Sequence, residues 1–113
     1  MFKIGEFSKL TQVSIRMLRY YDETGLLKPA QTDAWTGYRM YSSAQIPILN
    51  KIIYLRDSGF NVAEIAAALD NADDTAIAGL LSRKYTEIEQ SIRAEQEKLK
   101  KIELAECEIL KGR

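Results

Sequence analysis

The chain has 113 residues, 16 Lys/Arg against 16 Asp/Glu, no histidine and one cysteine. That length suits one compact domain, or a small domain with an appendage. It carries no apolar run near the roughly 20 residues that span a bilayer, no pair of thiols for an internal disulfide, and no imidazole for acid–base chemistry.

The zero net charge hides an asymmetry. Residues 1–60 hold 8 Lys/Arg and 5 Asp/Glu, whereas residues 61–113 hold 8 and 11. The N-terminus, MFKIGEFSKL, is too polar for a signal peptide. A soluble, cytoplasmic protein with no membrane contact is expected.

Phe2-Lys3-Ile4 predicts a short strand or an extended lead-in, and the spacing of Ile4, Phe7 and Leu10 predicts a helix over 5–11. Thr11-Gln12-Val13 is a tight turn. Ser14 is a natural N-cap for a second helix over Ile15–Thr24, which Gly25 ends by accepting a left-handed conformation. Two short helices joined by a brief turn form a helix-turn-helix. Ile15 and Leu18 are expected to face the core, with Arg16, Arg19 and Tyr20 on or beside the outer face. One of Tyr20 and Tyr21 is open to a core role.

Pro29 and the turn-rich Asp33–Gly37 stretch predict two short strands, at about 27–31 and 38–41, forming a wing. Ser42-Ser43-Ala44-Gln45 reads as a capping box opening a third helix with an apolar stripe of Ile46, Leu49, Ile52 and Ile53. Pro47 is expected to cost that helix a hydrogen bond or bend its start. Asn61-Val62-Ala63-Glu64 is a second capping box, opening a fourth helix to about Leu69, and Asp70 to Asp74 is a polar break.

The last helix, from about residue 73 or 75 to 110, is roughly 50–55 Å long, too long for so small a domain to bury. Its heptad seam runs Leu81, Tyr85, Ile88, Ile92, Glu95, Leu99, Ile102, Glu106, Ile109. All but the two glutamates are apolar or aromatic, the pattern of a coiled coil. Two copies pairing along this seam would bury it. They would also hold two heads together, matching a palindromic site.

Arg16, Arg19, Tyr20 and Tyr21 on the second helix, with Tyr38 and Arg39 on the wing, suit duplex DNA. Arginine pairs with guanine edges or phosphates, and tyrosine hydroxyls bond phosphates while their rings pack on sugars. Cys107 lacks a second thiol or a histidine to ligate metal with it. No catalytic set is evident: there is no paired carboxylate in an evident pocket and no Gly-rich phosphate loop.

Taken together, these segments resemble the MerR family of bacterial transcription regulators, almost end to end. I-G-E-F-S-K-L-T-Q-V-S-I-R-M-L-R-Y-Y-D-E-T-G-L-L-K-P looks like the family's helix-turn-helix, G-Y-R-M-Y like its wing, and Y-L-R-D-S-G-F-N-V-A-E-I like its third-to-fourth helix junction. The resemblance implies a mainly α fold: a winged helix-turn-helix DNA-binding domain (1–72), then a long antiparallel coiled-coil dimerisation helix (73–113). It implies a homodimer on double-stranded promoter DNA that bends and untwists an overlong spacer, so that RNA polymerase is served indirectly. Carried over by position, Ser14, Arg16, Arg19 and Tyr21 contact DNA from the helix, with Tyr20 secondary. Tyr38 and Arg39 contact it from the wing, and Arg56 reaches phosphate from the third helix. Leu81, Tyr85, Ile88, Ile92, Leu99, Ile102 and Ile109 form the dimer seam.

The chain departs from the family pattern in three places. The family's metal sensors carry several cysteines near the end of the dimerisation helix, whereas Cys107 stands alone, so no metal or other cofactor is expected. The ligand domain of the drug sensors is not present in these residues. The chain is then either a regulator acting without one or the DNA-binding fragment of a larger ligand-sensing protein. Pro47 is unexpected in the third helix. Outside this resemblance, a coiled-coil module whose head binds protein is the competing reading.

Overall fold

The computed structural model describes residues 1–71 and 73–112. Two compact units divide between Asp73 and Asp74. The expected domain end at residue 72 lies outside the described residues.

The first unit runs β1 (Phe2–Lys3), α1 (Ile4–Thr11), α2 (Ile15–Thr24), β2 (Gln31–Thr32), β3 (Arg39–Tyr41), α3 (Ile46–Asp57) and α4 (Val62–Asn71). The wing has three strands rather than the two expected. β3 lies in the middle, antiparallel to β1 through Phe2–Tyr41 and to β2 through Thr32–Arg39. The N-terminal residues thus complete the sheet. Its other expected strand, at 27–31, is reduced to Gln31–Thr32, because Leu26 and Leu27 are drawn into the core as irregular chain.

Local chemistry sets the helix ends. Ser14 Oγ accepts the Met17 amide at 3.1 Å and starts α2. Gly25, at φ +79°, stops it, and Leu27 N–H closes back on Tyr21 O at 3.1 Å. The turn between α1 and α2 puts Gln12 at φ +61°, a conformation that disfavours a side chain. Its Nε2 donates to Lys9 O at 2.7 Å, and Ser8 Oγ donates to Val13 O at 2.6 Å, holding the turn.

The capping box at Ser42 and Gln45 opens a single 3-10 turn (Ser43–Gln45), and α3 proper begins at Ile46. Pro47 therefore occupies the first turn of α3, where a missing N–H has no intrahelical partner to lose. The expected cost or bend does not arise. Gln45 Nε2 also donates to Lys28 O at 2.6 Å, tying this turn to the segment before the wing. The second capping box forms as expected, Glu64 N–H donating to Asn61 Oδ1 at 2.8 Å and Asn61 N–H to Glu64 Oε1 at 3.0 Å.

The core gathers Phe7, Leu18, Tyr21, Tyr41, Leu49, Ile52 and Leu55, with Ile65 and Ala68 from α4. The Phe7 and Tyr41 rings stack at 4.7 Å, joining α1 to the wing. α3 turns its Leu49, Ile52, Leu55 face inward, so Leu55 replaces the expected Ile53. Leu10 of α1 is exposed, not core.

The second unit is the single helix α5 (Asp74–Lys111). At 38 residues it is about 57 Å long. Its seam is open: Ile88 is 47% exposed, Leu99 61% and Ile109 68%. Glu95, at a seam position, is paired with Lys98 at 3.0 Å on its own helix.

Candidate nucleic-acid interface

Ser14 caps α2, leaving its hydroxyl proton beside the helix's positive end, where an anion is favoured. Three residues share one face of α2 at i, i+3 and i+4 spacing: Arg16, Arg19 and Tyr20, all exposed. Ile15 joins them at 37% exposure, against the expectation that it would be core. With Glu23 these residues line a shallow groove of about 480 Å³. The apolar side of α2 is instead made by Leu18 and Tyr21, with Val13 just ahead of the helix.

This resolves the Tyr20/Tyr21 ambiguity and corrects the carry-over of Tyr21. Tyr21 is 2% exposed, and its hydroxyl accepts a hydrogen bond from Arg56 Nη1 at 3.0 Å. It sits one helical step from Leu18 on the core face, so its ring cannot lie on a sugar. Tyr20 is 43% exposed and is the ring presented outward.

Arg39 on β3 is half-buried, and its Nε donates to Asp22 Oδ2 of α2 at 2.8 Å. A guanidinium has five donors, so this bond leaves others for a phosphate. Asp22 is also 3.8 Å from Lys28 Nζ. Tyr38 is 53% exposed, and the Lys3 ammonium lies 5.1 Å from its ring centre, within cation–π reach. A second groove, of about 570 Å³, runs between α1, α2 and the wing. It is lined by Lys3, Lys9, Arg19, Tyr38 and Arg39 among others. Neither Lys3 nor Lys9 was singled out from sequence. The signal was available only as two scattered lysines in a short helix and its lead-in, and the three-stranded pairing is what brings Lys3 to the wing.

Arg56, near the C-terminus of α3, is more engaged than expected. Its Nε and Nη2 donate to Asp57 Oδ1 at 3.0 and 2.9 Å, while Nη1 holds Tyr21. The Asp57 carboxylate beside it raises the guanidinium's pKa further, so it is a permanent cation whose charge is met within its own turn.

Among the described residues no group of three His, Cys, Asp or Glu could hold a metal ion, and Cys107 is exposed on α5. Among the described residues, no helix is long and apolar enough to cross a membrane.

The profile described as MerR HTH family regulatory protein matches residues 2–72. The multidrug-efflux transporter 1 regulator of Bacillus subtilis (strain 168) is 39% identical over 102 residues, covering 90% of this chain and 35% of that protein. This chain thus spans about a third of the length of the curated relatives it matches. A crystal structure of MtaN, the N-terminus of the Bacillus subtilis multidrug transporter activator, superposes with a TM-score of 0.64 at 30% identity. It covers 88% of this chain and 98% of that one. A cryo-EM structure of an EcmrR–DNA complex does so with a TM-score of 0.65 at 37% identity, over 82% of this chain and 34% of that one.

Proposed function

The chain belongs to the MerR family of helix-turn-helix regulatory proteins, and from that premise we propose that it is a sequence-specific regulator that binds duplex promoter DNA as a homodimer. The single observation that carries this reading is the joined pair of basic surfaces on the first unit. Arg16, Arg19 and Tyr20 stand exposed on a capped second helix, and the wing is fastened to that helix by Arg39 and Asp22. The second helix of such a motif enters the major groove, and a wing beside it takes phosphates or the minor groove.

Ser14, Arg16, Arg19, Tyr20, Tyr38 and Arg39 are the proposed contacts. Arg56 is a weaker one, its charge shared with Asp57, and Tyr21 acts by holding Arg56 rather than by touching DNA. The second copy covers the seam of α5. A lone helix with this many exposed apolar side chains is marginal in water, and antiparallel pairing of two copies buries them and links two heads. Two linked heads on two half-sites favour a bent, untwisted spacer over a straight one, a specificity read through DNA shape. RNA polymerase is then affected through the DNA. The cytoplasm is the matching compartment, and no chemistry is catalysed.

Binding of a duplex selected from a randomised pool tests this reading. The affinity should fall steeply with salt, and Arg19→Ala should weaken it and lower the slope against log salt by about 1. Binding indifferent to Arg19 would contradict the second helix as the contacting element, and no salt-dependent duplex binding at all would return the chain to the class of coiled-coil protein-interaction modules.

A further inference from the structure

Trp35 is the chain's one tryptophan, and it is 97% exposed. Large aromatic side chains are rarely left wholly in water, and one that is marks a contact surface more often than it fills space. Its place is specific. It lies at the tip of the loop between β2 and β3, three residues before Tyr38.

The loop that carries it is tightly built. Asp33 Oδ1 accepts both the Trp35 amide at 2.8 Å and the Thr36 amide at 2.9 Å. Gly37 N–H closes on Asp33 O at 2.8 Å, Asp33 N–H on Tyr38 O at 2.9 Å, and Tyr38 N–H on Thr36 Oγ1 at 3.2 Å. The indole is therefore held out on a fixed backbone, so little loop entropy is lost when it is covered. The same bonds turn the one acidic side chain of the tip onto the backbone.

Beyond Gly37 the hairpin becomes the rim of the basic groove, where Lys3, Arg19 and Arg39 lie around Tyr38. The groove next to the hairpin thus offers four cations and an aromatic ring, with one carboxylate, Glu6, and the apolar Ile4 and Ile15 among them. A protein partner would be expected to meet a broader apolar patch, whereas here the neighbours at the tip (Thr32, Ala34, Thr36) are small or polar. A nucleic-acid strand offers the matching chemistry: apolar deoxyribose faces for the ring, and phosphate oxygens for both the indole N–H and the flanking cations.

We propose that Trp35 is a further DNA-contacting residue. Its ring packs on deoxyribose at the edge of the minor groove beside the half-site, and its Nε1–H donates to a phosphate oxygen. This rests on the DNA-binding reading above and extends the footprint past the Tyr38–Arg39 contact. A contact of this kind adds affinity without base discrimination, and, being uncharged, it adds none of the salt dependence.

The test uses the full chain and a duplex of about 40 base pairs selected from a randomised pool, beside an unselected duplex of equal length. Emission from the single tryptophan should shift or quench on titration with either duplex. Trp35→Ala should weaken both complexes by about tenfold while leaving the slope of log affinity against log salt unchanged. Trp35→Phe should fall between, keeping the ring and losing the donor. A misfolded wing would instead lower the slope, because Arg39 would be displaced with it. If the parent chain binds DNA but Trp35 emission and Trp35→Ala affinity do not change, the inference fails and the DNA-binding reading stands. If the parent binds neither duplex, both fail.

Discussion

Arg39 of the wing donates from Nε to Asp22 Oδ2 of the second helix, at 2.8 Å. The bond crosses from one proposed DNA-contacting element to the other and fixes the angle between them. It gives Asp22 a structural role on a helix that also carries Arg16 and Arg19. Asp22 holds a cation in place at the cost of some attraction for phosphate.

Asp22→Ala separates these two effects, because they have opposite signs. Removing a negative charge should by itself strengthen phosphate binding. Losing the wing's attachment should weaken binding, since the wing must then be ordered as the complex forms. The expected outcome is a net loss of about fivefold in duplex affinity, with a stability loss of about 1 kcal/mol. Fluorescence anisotropy with a labelled duplex and urea denaturation measure the two. Tighter binding by the variant would show that the ion pair does not set the wing's position.

Asp33 gives the wing loop a pH dependence. Its carboxylate accepts the Thr36 and Trp35 amides, which hold its pKa below the ordinary carboxylate value despite a smaller opposing effect of desolvation. A lowered folded pKa means that the contribution is complete above the unfolded carboxylate's pKa and is lost as pH falls through the folded one. The loop should therefore be intact at neutral pH and loosen only in strong acid. Amide shifts of Trp35 and Thr36, followed by NMR against pH, should titrate with a midpoint below that of a free aspartate. Asp33→Asn should abolish the titration. A midpoint at or above the free value would mean that the bonds are not made in solution.

The exposed seam of α5 makes a prediction about assembly. Ile92 is 52% exposed in the single chain, and in a symmetric pair Ile92→Glu places two buried charges at one interface. The dimer dissociation constant should rise by about a hundredfold, and sedimentation should show monomer where the parent shows dimer. Helix content by circular dichroism should fall as well, because α5 then loses its cover. An unchanged mass would mean that the seam is not the pairing surface.

Much of the first unit was legible because its determinants are local. Ser14 and Gly25 bound α2 at the residues read from sequence, since a cap and a left-handed stop act within one turn. The reciprocal bonds of Asn61 and Glu64 are of the same kind. What escaped was set by residues far apart in the chain. The pairing of Phe2–Lys3 with β3 is nonlocal, so a short strand at residues 2–4 was legible but neither its place in the wing's sheet nor Lys3 beside Tyr38 was visible. Tyr20 and Tyr21 are chemically alike and adjacent; Tyr21 is the one that follows Leu18 onto the core face of α2, and the bond its hydroxyl accepts comes from Arg56, 35 residues away on α3. Ser42 and Gln45 did form a capping box, but whether it opens a 3-10 turn or an α-helix is decided one residue later, by Ile46 and Pro47. The exposure of Trp35 has no local signal either, because a turn-rich stretch predicts a loop without saying what its tip displays.

The most direct measurement is the mass of the protein–duplex complex by light scattering, using a duplex selected from a randomised pool and a range of protein concentrations. Two protomers per duplex, with the selected sequence an inverted repeat, is the expected result. One protomer per duplex, or a free monomer that forms no complex at low salt, would contradict a dimeric promoter-binding regulator.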